Sequence, residues 1–159
     1  MNKLLVMIPA YNEEKNIEQV VDEFISNYKQ YDYIVINDGS TDSTRKICRR
    51  KGYNLLDLPV NLGLEGAIKS GMKYANYNQY EYVIQFDGDG QHQAQYIEKM
   101  IEKMIETDAD IVIGSRFLEK KKPFTPRMIG SQLITYAIWL TTKGKYISDV
   151  TSGMRLFNK

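Results

Sequence analysis

Leu4-Leu5-Val6-Met7-Ile8-Pro9-Ala10-Tyr11-Asn12-Glu13-Glu14 decides the fold. Leu4 to Ile8 is a short, continuous apolar run, as a strand buried on both faces should be. Asn12 is placed to cap a helix, with Glu13 and Glu14 in a first turn where the helix dipole favours acids. Ile17, Val20, Val21, Phe24, Ile25 and Tyr28 then repeat at three–four spacing, which predicts an amphipathic helix over 12–28.

The same strand-then-helix unit recurs along the chain. Strands are predicted at 33–36, 54–58, 82–86 and 111–113. Helices are predicted from Ser40 or Thr41 through Arg50 (ended by Gly52), over 64–77 and over 94–106. Strands alternating with helices of ten or more residues imply an α/β fold, a mostly parallel sheet with helices on both faces. After Gly114 the rhythm breaks: Lys120-Lys121-Lys122-Pro123 reads as a loop and 126–140 as helical. No internal repeat or linker is visible, so 1–159 is expected to form a single domain.

Composition narrows the function. With 159 residues the chain can bury roughly 70% of its unfolded surface without a disulfide or structural metal. Lys plus Arg is 21 against 20 acids, a balance that argues against nucleic acid as a partner. One cysteine, Cys48, and one histidine, His92, exclude a disulfide framework and a Cys/His zinc site. The lone thiol and the lack of a secretory pattern suggest a cytoplasmic protein. No run of 18 apolar residues occurs to span a bilayer.

In an open parallel sheet, ligands sit beyond the carboxyl ends of the strands. Polar clusters stand there: Pro9-Ala10-Tyr11-Asn12-Glu13, Asn37-Asp38-Gly39-Ser40-Thr41-Asp42, Asp87-Gly88-Asp89-Gly90-Gln91-His92 and Gly114-Ser115-Arg116. Asp87-Gly88-Asp89 is the sharpest of these. Two like charges at a buried strand end repel and cost desolvation, unless a divalent cation such as Mg²⁺ or Mn²⁺ resolves them. Gly88 lets backbone approach a ligand closely. The plain alternative is a solvated Asp-Gly turn. A calcium loop would need Gly where His92 stands and a helix before it. Asp38 is placed to accept from a base or ribose, although Asn37 to Ser40 also composes an ordinary turn. Asn61-Leu62-Gly63 enters a helix whose N-terminus could face a phosphate. Neither Gly-x-Gly-x-x-Gly nor Gly-x-x-x-x-Gly-Lys follows the first strand, which argues against a dinucleotide oxidoreductase and a P-loop enzyme.

Taken in order, Ile8-Pro9-Ala10-Tyr11-Asn12-Glu13-Glu14, Val35 to Asp42, Asn61-Leu62-Gly63, Asp87 to His92, Gly114-Ser115-Arg116 and Ser148-Asp149-Val150-Thr151-Ser152-Gly153-Met154-Arg155 resemble the family 2 glycosyltransferases of the GT-A fold. The likeness is strongest to the branch of dolichyl- and polyprenyl-phosphate sugar synthases. It implies a Rossmann-like sheet and an inverting transfer from a UDP- or GDP-sugar to a polyprenyl-phosphate or glycan acceptor, as in cell-envelope polysaccharide synthesis. Pro9, Ala10, Tyr11, Glu13 and Asp38 would hold the donor nucleotide, with Gly63 and Gly88 beside it. Asp87, Asp89 and Gln91 would hold Mn²⁺ or Mg²⁺ on the diphosphate. Arg116 and Arg127 would meet an acceptor phosphate.

A hydroxyl acceptor needs a general base, for which Asp149 is the candidate, its plain alternative being a cap or loop acid; a phosphate acceptor needs Arg contacts instead. Arg116 and Asp149 therefore point to different acceptors. Such enzymes commonly continue past the Thr-Ser-Gly-x-Arg motif, so this chain is expected to be part of a longer protein. A catalytically silent nucleotide-sugar-binding module is the competing expectation. The plain reading of the 126–140 segment is packing on the sheet or on further C-terminal helices; with Trp139 and flanking bases, it is expected instead to touch a membrane surface, at its inner face, if the acceptor is a lipid.

Overall fold

The computed structural model describes residues 3–86, 96–115, 135–136, 139–141 and 152–158. Among these residues six strands form one sheet in the order β3-β2-β1-β4-β6-β5. These are β1 (Leu4–Ala10), β2 (Asp32–Asp38), β3 (Leu55–Leu58), β4 (Tyr82–Gln85), β5 (Ile111–Ile113) and β6 (Arg155–Asn158). The pairs β1–β2, β1–β4 and β2–β3 are parallel. β6 runs antiparallel between β4 and β5.

The central strand explains itself. Leu4, Leu5, Val6, Met7, Ile8 and Ala10 are all buried, because β1 has a strand on each side and helices on each face. Alternate side chains part to opposite faces. Leu4, Val6, Ile8 and Ala10 join Val35 against α1 (Ile17–Asn27), α2 (Thr44–Lys51) and α4 (Tyr96–Thr107). Leu5 and Met7 join Ile34 and Ile36 against α3 (Gly63–Tyr77). Cys48 lies in the first of these cores, and burial pushes its thiol up to about 11, so it packs as a small apolar group.

Two expected helix starts are corrected. Asn12 does not cap α1, which begins five residues later at Ile17, after Asn16. α2 begins at Thr44, and its N-terminal amide is met by the Asp42 carboxylate rather than by Ser40 or Thr41. Gly52 ends α2 as expected, at φ 69°. The Arg155–Asn158 segment forms a strand that the sequence reading does not contain.

Candidate functional site

The register sets the site. Ala10 lies opposite Asn37, and Asp38 lies opposite Leu58, so β1, β2 and β3 end at one level. Tyr11 leaves that level 47% exposed, while Asp38 remains only 3% exposed. β4 ends deeper: Gln85 pairs with Met7, and the Phe86 N–H donates to the Met7 carbonyl at 2.9 Å. Asp87 follows directly in sequence. The neighbours of β1 belong to different halves of the chain order, which makes its carboxyl end the switch point where ligands collect.

Asp38 is held from the third strand's side. Its Oδ1 accepts the N–H of Leu62 at 2.8 Å, just before α3, where an unpaired amide and the helix dipole both favour an acid. Gly39 (φ 64°) makes that approach possible: a Cβ there would lie 2.5 Å from the backbone of Val60 and Asn61. Gly63 opens α3, and its N–H donates to Asn61 Oδ1 at 3.1 Å.

The loop carrying Tyr11 and Glu13 is joined to the loop after β2. Asn12 takes a left-handed backbone, φ 55°. Its N–H donates to Ser40 Oγ at 3.0 Å, and its Oδ1 accepts the Thr41 N–H at 2.9 Å. The Glu13 N–H donates to Thr44 Oγ1 at 2.8 Å, and the Glu14 N–H to Asp42 Oδ2 at 3.1 Å. In return Glu14 Oε2 accepts the Ser43 N–H at 3.0 Å. The Glu13 carboxylate accepts from Asn16 Nδ2 at 2.9 Å. Burial works to raise the Asp42 carboxyl, but donors from Thr44 and Glu14 outweigh it and hold the group below its ordinary range.

Behind these loops Asp57 gathers Arg45 Nε at 2.9 Å, Arg49 Nη2 at 2.8 Å and Asn37 Nδ2 at 2.8 Å. Burial opposes ionisation of Asp57 as well, and Asn37 and the two guanidiniums prevail. The basic run from Arg45 is thus partly spent on buttressing the end of β3.

On the far side, β6 brings Arg155 level with Gln85 of β4 and Ile113 of β5. The Ser152 hydroxyl donates to the Gly114 carbonyl and accepts the Met154 N–H at 3.2 Å, and the Gly114 N–H donates to the Met154 carbonyl at 2.9 Å. Thus the Gly114-Ser115 and Ser152 to Arg155 segments meet at the same end of the sheet.

The structure brings Pro9, Ala10, Tyr11, Glu13, Asp38 and Gly63 together. Asp87, Gly88, Asp89, Gln91, Arg116, Arg127 and Asp149 lie outside the described residues. Among the described residues no group of three or more acids, histidines or cysteines is placed to hold a metal. Sequence reasoning missed Asn12, Asp42 and Thr44 as loop-joining residues; their composition matched ordinary caps and turns, and only the long-range partners distinguish them.

The pattern of glycosyl transferase family 2 matches residues 5–159. The chain belongs to that family. An uncharacterised protein of Methanocaldococcus jannaschii is 32% identical over 99% of the chain, which spans 65% of that relative's length. UDP-N-acetylglucosamine–dolichyl-phosphate N-acetylglucosaminyltransferase of Methanococcus voltae is 31% identical, with 98% of the chain and 69% of that protein covered. Glucosyl-3-phosphoglycerate synthase of Mycobacterium tuberculosis, solved with Mn²⁺, UDP-glucose and phosphoglyceric acid, superposes with a TM-score of 0.74 at 18% identity, over 99% of the chain and 57% of its own. The fold is therefore GT-A, as family 2 membership implies, and the mixed sheet with β6 inserted is its form here.

Proposed function

We propose that this family 2 protein transfers a sugar from a nucleoside-diphosphate sugar to a polyprenyl-phosphate acceptor, with inversion. One observation carries the reading: buried Asp38 and exposed Tyr11 each follow directly on the paired residues Asn37 and Ala10, at the ends of adjoining strands. A buried acid beside an exposed aromatic suits a nucleoside, hydrogen-bonded on one side and covered on the other. Pro9, Ala10 and Glu13 complete the donor loop, and Gly63 opens the helix facing the same end.

Asp87, Asp89 and Gln91 are the residues we assign to a divalent cation, Mn²⁺ or Mg²⁺, with Gly88 between the acids. Two carboxylates and an amide oxygen suit a hard ion. When bound it would neutralise charge on the leaving diphosphate. The M. tuberculosis neighbour's Mn²⁺ and UDP-glucose support this assignment. Inversion is a single displacement, in which an acceptor oxygen attacks opposite the leaving group. A phosphate acceptor is already an oxyanion, and Arg116 and Arg127 would orient it; a saccharide hydroxyl would need Asp149 as base. The dolichyl-phosphate named for the M. voltae relative favours the phosphate.

A lipid acceptor calls for a membrane contact, at the cytoplasmic face if the donor is cytoplasmic. Trp139 and Leu140 are 43% and 58% exposed, and Tyr136 stacks on Trp139 at 5.9 Å between ring centroids, an arrangement suited to a bilayer interface. Among the described residues no helix is long and apolar enough to cross a membrane.

The test is a thermal-shift screen of UDP-, GDP- and dTDP-sugars with and without Mn²⁺. A donor at 100 times its dissociation constant should stabilise the fold by about 2.7 kcal/mol. No shift with any nucleotide would overturn the reading.

A further inference from the structure

The donor loop, residues 11–16, belongs to no helix or strand and is mostly exposed, so core packing does little to fix its shape. Its shape comes from the neighbouring loop. Three successive amides, of Asn12, Glu13 and Glu14, are each taken by a side chain of that loop or of the first residue of α2: Ser40, Thr44 and Asp42. Two side chains return the bond, Asn12 to the Thr41 amide and Glu14 to the Ser43 amide. Thr44 is wholly buried, and its hydroxyl accepts from Glu13 while donating to Asp42 Oδ1 at 2.6 Å. Asn12 is at φ 55°, a conformation that asparagine tolerates better than most residues.

We propose that Asn12 and Thr44 are positioning residues, which pre-set Tyr11 and Glu13 for the donor without touching it. The inference rests on the donor-site reading above. A loop already ordered by such bonds loses less freedom when a ligand arrives, and the saving appears as affinity. If the ordered form were only a fraction of the population, apparent affinity would fall by that fraction. One net hydrogen bond corresponds to a factor of about two to ten.

The test compares three variants with the wild type by calorimetry with UDP and with GDP, each with Mn²⁺, and by hydrogen exchange at the Glu13 and Glu14 amides. Asn12→Gly keeps the left-handed backbone accessible and deletes the side-chain acceptor. Thr44→Val keeps the shape and deletes the hydroxyl, whereas Thr44→Ser restores it. Asn12→Gly and Thr44→Val should weaken the nucleotide by about fivefold. Their two amides should exchange faster in the free protein and regain protection when the nucleotide saturates. Thr44→Ser should stay within about twofold of wild type.

Asn12 is exposed, so Asn12→Gly decides the matter if Thr44→Val does not fold. Unchanged affinity and unchanged amide exchange in folded Asn12→Gly would overturn the proposal. Tyr11→Ala and Asp38→Ala separate the two readings. If neither weakens nucleotide binding, the donor-site reading itself fails. If they do and Asn12→Gly does not, only the positioning role fails.

Discussion

Asp38 and Leu62 are bonded across the ends of two βα units, with the carboxylate Oδ1 accepting the Leu62 N–H at 2.8 Å. Asp38 thus has two duties, closing the start of α3 and, on our reading, meeting the donor nucleoside. Asp38→Ala should weaken UDP or GDP binding by about tenfold or more, and leaving the Leu62 amide unpaired should cost about 1–3 kcal/mol of stability. Asp38→Asn retains an acceptor for Leu62 and should spare stability more than affinity. Calorimetry and urea unfolding, run side by side, check the split.

The metal assignment makes a second prediction. Asp89→Asn should abolish the Mn²⁺ dependence of donor binding while the melting temperature without ligand stays within a few degrees of wild type. Nucleotide binding with unchanged Mn²⁺ dependence would refute the assignment.

Stability should depend on pH through Asp42 and Asp57. Both carboxyls are held below the ordinary value of 3.8 in the folded protein. A depressed folded value contributes stability that is present above the unfolded value and is lost as pH falls through the folded one. Urea midpoints should therefore hold above about pH 5 and drop below about pH 4. Asp57→Asn should be less stable at neutral pH, where Arg45 and Arg49 lose their partner, and should lose less on acidification.

Leu156 is fully buried at the centre of β6. Leu156→Ala should cost about 2–5 kcal/mol, measured by denaturant unfolding, because the sheet cannot close over the cavity.

Membrane contact is checked with anionic liposomes. Trp139 fluorescence should shift blue on mixing, and Trp139→Ala should co-sediment less. An emission spectrum indifferent to lipid would leave a saccharide acceptor as the better choice.

The parallel half of the fold was legible because Leu4 to Ile8 is a continuous apolar run that only a doubly covered strand needs, and short apolar-rich segments alternate with helical patterns after it. β6 was not legible. Arg155-Leu156-Phe157-Asn158 has just two apolar residues, and its strand form depends on partners more than 40 residues away. The position of Asp38 was legible: the sequence puts it at the carboxyl end of the second strand, and it is the last residue of β2. Asn12 was misread for a physical reason: an asparagine ahead of acids and a helix is an ordinary cap locally, and only the loop packed against it redirects its side chain to Thr41. Thr44 was hidden because the helix was expected to begin at Ser40 or Thr41, which put Thr44 inside it, whereas α2 begins at Thr44 itself.

The placement of β6 bears on how the chain is made. Among the described residues β5 pairs with β6 alone, and β6 is what joins it to β4. On the ribosome β1 to β4 can assemble in the order they emerge, but among the described strands Ile111–Ile113 has none to join until Arg155–Asn158 has left the exit tunnel. Nascent chains stalled before Arg155 should therefore hold a four-stranded half sheet with the outer flank of β4 open, and proteolysis of such stalled chains should cut between β4 and β5 first.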